Sequence, residues 1–261
     1  MTGYPLLQGM CLMSQNIDVL CMMSHQDDAE ILCGGTLIKL KDQGYSVGIV
    51  DFSRGEMGSR GTPEQRQKEA SCASEVMGID VRMNLEFPDA RIENTIDNRH
   101  KVIQAIREYK PRLIITHDFN NRNPDHTHTA MLVKEAAFTS GLVKYITGQN
   151  PHRPNKILYC MEYFEFDPTI IVDITEQYDR KLKAIFCYMS QIHNPELKEY
   201  PTYIASDRFL KEMETRFKYY GSKIHSDYGE GFRMDTPVEI VDIVQEIALR
   251  SLIPGQNNSN K

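Results

Sequence analysis

The first half of the chain alternates short apolar runs with stretches of helical spacing. Residues 17–24 (IDVLCMMS) are almost continuously apolar, the pattern of a strand buried on both faces. Residues 29–43 follow with helical spacing and stop at Gly44. A second strand is predicted over 47–52, then a polar, glycine-rich loop, SRGEMGSRGT. The helix predicted over 63–77 has Pro63 at its start and Gly78 after its end. A strand over 81–85, a helix over 97–109 and a short buried strand over 113–116 complete this half. Strand–helix alternation of this kind implies an α/β fold, with a mostly parallel sheet flanked by helices. The second half is less regular, with strands expected over 157–163 and 169–172 and helices over 176–192 and 206–220. One domain is expected over 17–252, between an N-terminal extension (1–16) and a disordered tail (253–261), with NPHRPN (150–155) a loop inside it.

Composition narrows the function classes. The 261 residues carry a net charge of −6, which argues against general nucleic-acid binding because phosphate neutralisation needs a basic face. No run approaches the roughly 20 apolar residues that span a bilayer, and the first 20 residues lack a basic signal-peptide n-region. The six cysteines (Cys11, Cys21, Cys33, Cys72, Cys160, Cys187) contain no CxxC pair. They are expected to be reduced, mostly buried thiols of a cytoplasmic protein.

Candidate chemistry lies just beyond two predicted strands. In open α/β sheets, ligands bind at the carboxyl ends of the strands. The first strand runs directly into SHQDDAE (24–30), delivering His25, Asp27 and Asp28 to that edge as a helix begins. Imidazole nitrogen and carboxylate oxygen are both zinc ligands, so His25 and Asp28 can share a metal while Asp27 acts as general base. Asp27 with Glu30 three residues on also reads as a helix capping box, which needs no metal. The second cluster, THDFNNRNPDHTHTA (116–130), repeats the order of strand end, polar loop and helix start. Asn123-Pro124 reads as N-cap and first helical residue, placing His126 in the first turn. His126 and His128 point roughly 200° apart on a helix, so only one faces a metal, and spacing alone leaves the choice open. His117, at the strand end, either lines the site or is structural. His100, His152, His193 and His225 lack partners at ligand spacing.

These segments resemble the LmbE-like (PIG-L) zinc deacetylases over most of the chain. HQDDAEILCGGTL is similar to the family segment AHPDD-x-E-x-x-x-GGTL, SRGEMGSRGTPEQRQKEA to its TRGE block, and NPDHTHTA to its HPDH segment. EAAFTSGL, PHRPNKILY, the SQ at 190–191 and YGEGF (228–232) resemble the deacetylases of bacillithiol biosynthesis, which act on N-acetylglucosaminyl-malate. The resemblance implies a Rossmann-like fold, a homo-oligomer and an N-acetylated amino sugar as small-molecule substrate. It implies zinc, or Fe2+, held by His25, Asp28 and His126, with Asp27 as general base. Two positions depart from the pattern. Gln26 stands where the family has Pro, and Asn123 where it has a His thought to serve the oxyanion or proton transfer. Asn can donate to an oxyanion but cannot shuttle a proton.

Arg54 and Glu56, beyond the second strand, and Arg122, beside Asn123, are candidates to bind substrate, arginine suiting carboxylates and sugar hydroxyls. Glu30 and Asp125 are candidates to hold the ligand side chains in place. Gly34-Gly35 lies within a helix without dinucleotide spacing, so no NAD site is read; small residues there permit close packing.

Overall fold

A computed structural model describes residues 16–192 and 200–243. The expected tail, all of the expected extension except Asn16, and Cys11 and His193 lie outside the described residues. In chain order the elements are β1 (Val19–Met23), α1 (Asp28–Asp42), β2 (Val47–Ser53), α2 (Pro63–Met77), β3 (Val81–Phe87), α3 (Ile96–Tyr109) and β4 (Leu113–His117). There follow α4 (Pro124–Thr139), β5 (Lys156–Cys160), β6 (Ile170–Asp173), α5 (Tyr178–Phe186), α6 (Asp207–Ser222) and β7 (Gly229–Arg233).

The seven strands form one sheet in the order β3-β2-β1-β4-β5-β7-β6. The first five in that order pair in parallel, and β7 pairs antiparallel with both β5 and β6. Every residue of β1 is buried, because alternate side chains enter two separate cores. Cys21 and Met23 pack on the side of α1, α2 and α5, and Leu20 and Met22 on the side of α3 and α4. From β1 the chain winds outward through β2 and β3, then returns to start β4 on the other flank. The reversal opens a crevice at the carboxyl ends of β1 and β4, where a doubly wound sheet binds its ligand.

The second half departs from its sequence pattern in three places. The helix expected over 176–192 ends at Phe186, because the following turn is held by tertiary bonds: Ser190 N–H and Oγ both donate to Glu69 on α2. The strand expected over 157–163 ends at Cys160, freeing residue 162 to leave the sheet. The glycine-rich GEGFR forms β7, whose apolar alternation is too weak to announce a strand. Cys72 and Cys187 are joined as a disulfide, which corrects the expectation of reduced thiols throughout. Cys21, Cys33 and Cys160 are free and buried.

Glu230 of β7 explains how α1 can bend. Helical geometry breaks at Cys33 (φ −140°, ψ 15°). The buried Glu230 carboxylate accepts from Gly35 N–H (2.9 Å) and Thr36 N–H (2.7 Å). Lys181 Nζ, equally buried, donates to Glu230 (2.6 Å) and to Ile31 O (2.9 Å). A Cβ on Gly35 would stand 2.7 Å from Ile174, so glycine is what lets the helix come this close. The first turn of α1 is thereby fixed at the mouth of the crevice.

Candidate metal centre and active site

The turn from β1 to α1 is tight and strained. Asp27 has φ 153°, a conformation costing a non-glycine residue about 1–3 kcal/mol and tolerated only where its surroundings impose it. Arg66 of α2 imposes it. Its guanidinium donates to Gln26 O (3.1 Å) and Gly55 O (3.4 Å) and lies 3.3 Å from Asp27 Oδ1. Gly55 has φ +66°, and a Cβ there would fall 1.9 Å from the Arg66 side chain, so glycine is required for the clamp. Asp27 makes no side-chain capping bond to α1, so the capping-box reading of Asp27 and Glu30 does not describe this helix. Burial pushes the Asp27 carboxyl up to about 7, against the pull of Arg66.

The turn from β4 to α4 is regular. Asn123 Oδ1 accepts from Asp125 N–H (3.0 Å) and Pro124 opens the helix. His126 follows in the first turn, buried and directed at the first loop. His128 turns away and bonds Ile92 O, and it is His126 that lies near His25 and Asp28.

Three ligand atoms converge: His25 Nδ1, Asp28 Oδ2 and His126 Nε2. Their separations are 3.2 Å (His25–His126), 3.2 Å (His25–Asp28) and 3.4 Å (Asp28–His126). Ligands about 2.0–2.1 Å from a tetrahedral zinc stand roughly 3.3 Å apart, so the set has the edge length of a metal tetrahedron. The outer ring nitrogens fix the protons. His25 Nε2 faces Asp89 Oδ1 (3.1 Å) and Asp125 Oδ2 (3.5 Å), and His126 Nδ1 faces Glu162 Oε2 (2.7 Å). With the outer nitrogen donating to its carboxylate, a neutral ring turns its inner nitrogen toward the centre as a lone pair. Two neutral rings so oriented and a carboxylate oxygen offer three electron pairs to one point, the arrangement a cation takes up. The donor set fits a divalent metal.

The other expected site residues divide. Asp125 accepts from Ala90 N–H (2.8 Å) and Ile92 N–H (3.2 Å), joining the β3 and β4 loops beside His25. Arg122 lies at the rim, its guanidinium 4.6 Å from the Tyr163 ring centre. Glu30 is not brought to a ligand. It is buried with Arg82 (2.6 Å) and Tyr188 (3.1 Å) beneath the sheet edge, where it balances the arginine that also grips Asp51. Arg54 pairs with Glu64 (3.1 Å) and does not line the crevice. Glu56 accepts from Asp89 N–H (2.8 Å), supporting that loop instead of facing the cavity.

Sequence reasoning missed Asp89, Glu162 and Arg66, and left His117 undecided. Asp89 and Glu162 each follow a strand, β3 and β5, at the same carboxyl edge as the two motif clusters. That position was the available signal. His117 is wholly buried, stacked on His126 with ring centres 3.9 Å apart, and its Nε2 accepts from Ser24 N–H (3.0 Å). Above the centre is a cavity of about 340 Å³, in the range of small-molecule sites. Asp27, Asn123, Glu162 and Gln191 face it from the sheet side, and Tyr203, Met213 and Arg216 from α6 and the segment before it.

Residues 20–137 match the family model PIG-L, described as GlcNAc-PI de-N-acetylase. A probable N-acetyl-alpha-D-glucosaminyl L-malate deacetylase of Bacillus cereus is 31% identical over 193 residues, which are 66% of this chain and 83% of that protein. The crystal structure of the conserved protein TT1542 from Thermus thermophilus has a TM-score of 0.79 and 34% identity, covering 86% of this chain and 97% of that one. The chain belongs to the PIG-L family. A diacetylchitobiose deacetylase of Thermococcus kodakarensis is 27% identical over 230 residues, 82% of each chain. Family membership and the mixed α/β sheet agree with the resemblance carried by HQDDAE and NPDH. No helix among the described residues is long and apolar enough to cross a membrane.

Proposed function

We propose that this PIG-L protein is a zinc-dependent de-N-acetylase of an N-acetylglucosamine-containing small molecule, releasing acetate and a free amino sugar. The observation that supports the reading is the convergence of one ring nitrogen each of His25 and His126 with the Asp28 carboxylate beside the buried Asp27. His25, Asp28 and His126 would hold the metal. When bound, a divalent cation supplies Lewis acidity toward the acetyl carbonyl and acidifies water. Asp27 takes the proton of the attacking water and returns it to the leaving nitrogen, its reach into the cavity supporting that role. Asn123, whose Oδ1 is engaged as helix cap, has its amide N–H left to donate toward the oxyanion. Arg122 at the rim suits an acidic group on the rest of the substrate, and the Bacillus cereus relative makes N-acetylglucosaminyl-malate the first substrate to try. The family resemblance also implies that the protein self-associates, and the proposal includes a homo-oligomer.

A second reading follows from Asn123. With no histidine at that position, the protein would bind sugar and metal without turnover. One experiment separates the two. Amine release is followed on N-acetylglucosaminyl-malate, diacetylchitobiose and simple N-acetylglucosaminides, with zinc and with chelator. Zinc-dependent release that chelator abolishes is expected. Stoichiometric zinc without amine release from any of them would establish the non-catalytic reading.

A further inference from the structure

We propose that Glu162, on the segment leaving β5, is the positioning residue of the centre: it fixes the tautomer and orientation of His126 and so sets metal affinity. The inference rests on the metal-centre reading above and assigns a role to a residue outside it.

The neighbour of Glu162 is held in place. Met161 is buried, its amide bonds Gly231 O (3.3 Å) and its sulfur accepts from Tyr220 Oη (2.5 Å). Residue 162, just beyond the end of β5, lines the crevice. There Glu162 Oε2 accepts from His126 Nδ1 (2.7 Å) and Asn121 Nδ2 (2.5 Å). His117 Nδ1 lies 3.5 Å from the same oxygen, and the stacked His117 ring keeps His126 from rotating away.

The two ligand histidines are supported unequally. His25 has two carboxylates at its outer nitrogen, Asp89 and Asp125, and Asp125 is independently held by two backbone amides. The outer nitrogen of His126 has Glu162. Without that acceptor its proton is free to sit on either nitrogen, and placing it on Nε2 removes the lone pair a metal needs. Carboxylate partners of ligand histidines elsewhere change metal affinity by about 10–100-fold.

The test is zinc affinity of the full chain, measured by competition with a chromophoric chelator, together with the visible spectrum of the cobalt-substituted protein. Glu162→Ala should weaken zinc about 10–100-fold. Glu162→Gln, which keeps shape and an acceptor oxygen but not the charge, should fall between wild type and Glu162→Ala. Asp89→Ala should weaken zinc less than Glu162→Ala, since Asp125 remains at His25. The cobalt spectrum should change in Glu162→Ala and move back toward wild type in Glu162→Gln. Wild-type affinity in Glu162→Gln and Glu162→Ala alike overturns the proposal, as does a larger loss in Asp89→Ala. If Glu162→Ala does not fold, wild-type affinity in Glu162→Gln alone overturns it. A wild-type protein that binds no zinc would instead defeat the metal-centre reading itself.

Discussion

The two loops that build the centre solve the same problem by opposite means. The β1–α1 turn places His25, Asp27 and Asp28 within four residues by holding Asp27 at φ 153° under the Arg66 clamp. The β4–α4 loop places His126 through an ordinary N-cap and an N-terminal proline, with no positive φ between 118 and 126. Density of function explains the difference. On the proposed assignments, two ligands and a base share the tight first turn, whereas the second loop supplies a single ligand from the first turn of a helix. The strained loop therefore depends on distant support from α2, and the relaxed loop largely supports itself.

That contrast can be broken in order of expected effect. His126→Ala removes the relaxed loop's one ligand and should abolish stoichiometric zinc, read by elemental analysis, while leaving the Asn123 cap and the fold intact. Retained zinc at full stoichiometry would show that the two loops do not share a metal. Asp27→Asn keeps the strained loop's ligands and removes its base. Zinc content should stay at wild type while turnover falls by about 10²–10⁴. Unchanged turnover would remove Asp27 from the chemistry and leave its strained backbone unexplained. The smallest effect is Asn123→Ala, which should cost about 1 kcal/mol in denaturant unfolding through the lost cap. Asn123→Ser should restore that stability. A rate deficit persisting in Asn123→Ser would assign the amide a second task in catalysis, and a normal rate would leave it a cap.

The loops also differ in how legible they were. The relaxed loop announces itself locally, since Asn-Pro before His126 specifies a helix start without reference to the rest of the chain. The strained loop announces its residues but not its geometry: nothing in SHQDDAE reveals that Arg66, 38 residues beyond Asp28, holds the turn. The parallel half of the sheet was similarly legible, because strands buried on both faces must be apolar throughout, as β1 is. Strand β7 was not, since its task is to carry Glu230 between two glycines into the break of α1. Arg54 and Glu56 do not line the crevice, for a related reason. A charged residue near a strand end satisfies the rule that finds a site, but the loop's path decides whether it faces the crevice or, like Arg54, a surface partner.

By itself the sequence determined the alternation of strands and helices, and so the edge at which chemistry gathers. It also determined which residue types stand there, because hydrophobic period and capping chemistry are local properties of the chain. Only the tertiary structure decided which nitrogen of each histidine faces inward. It also decided which carboxylates stand behind them and which charged residues are turned away. Those are distances between segments brought together by the order of strands in the sheet, and no local pattern encodes them.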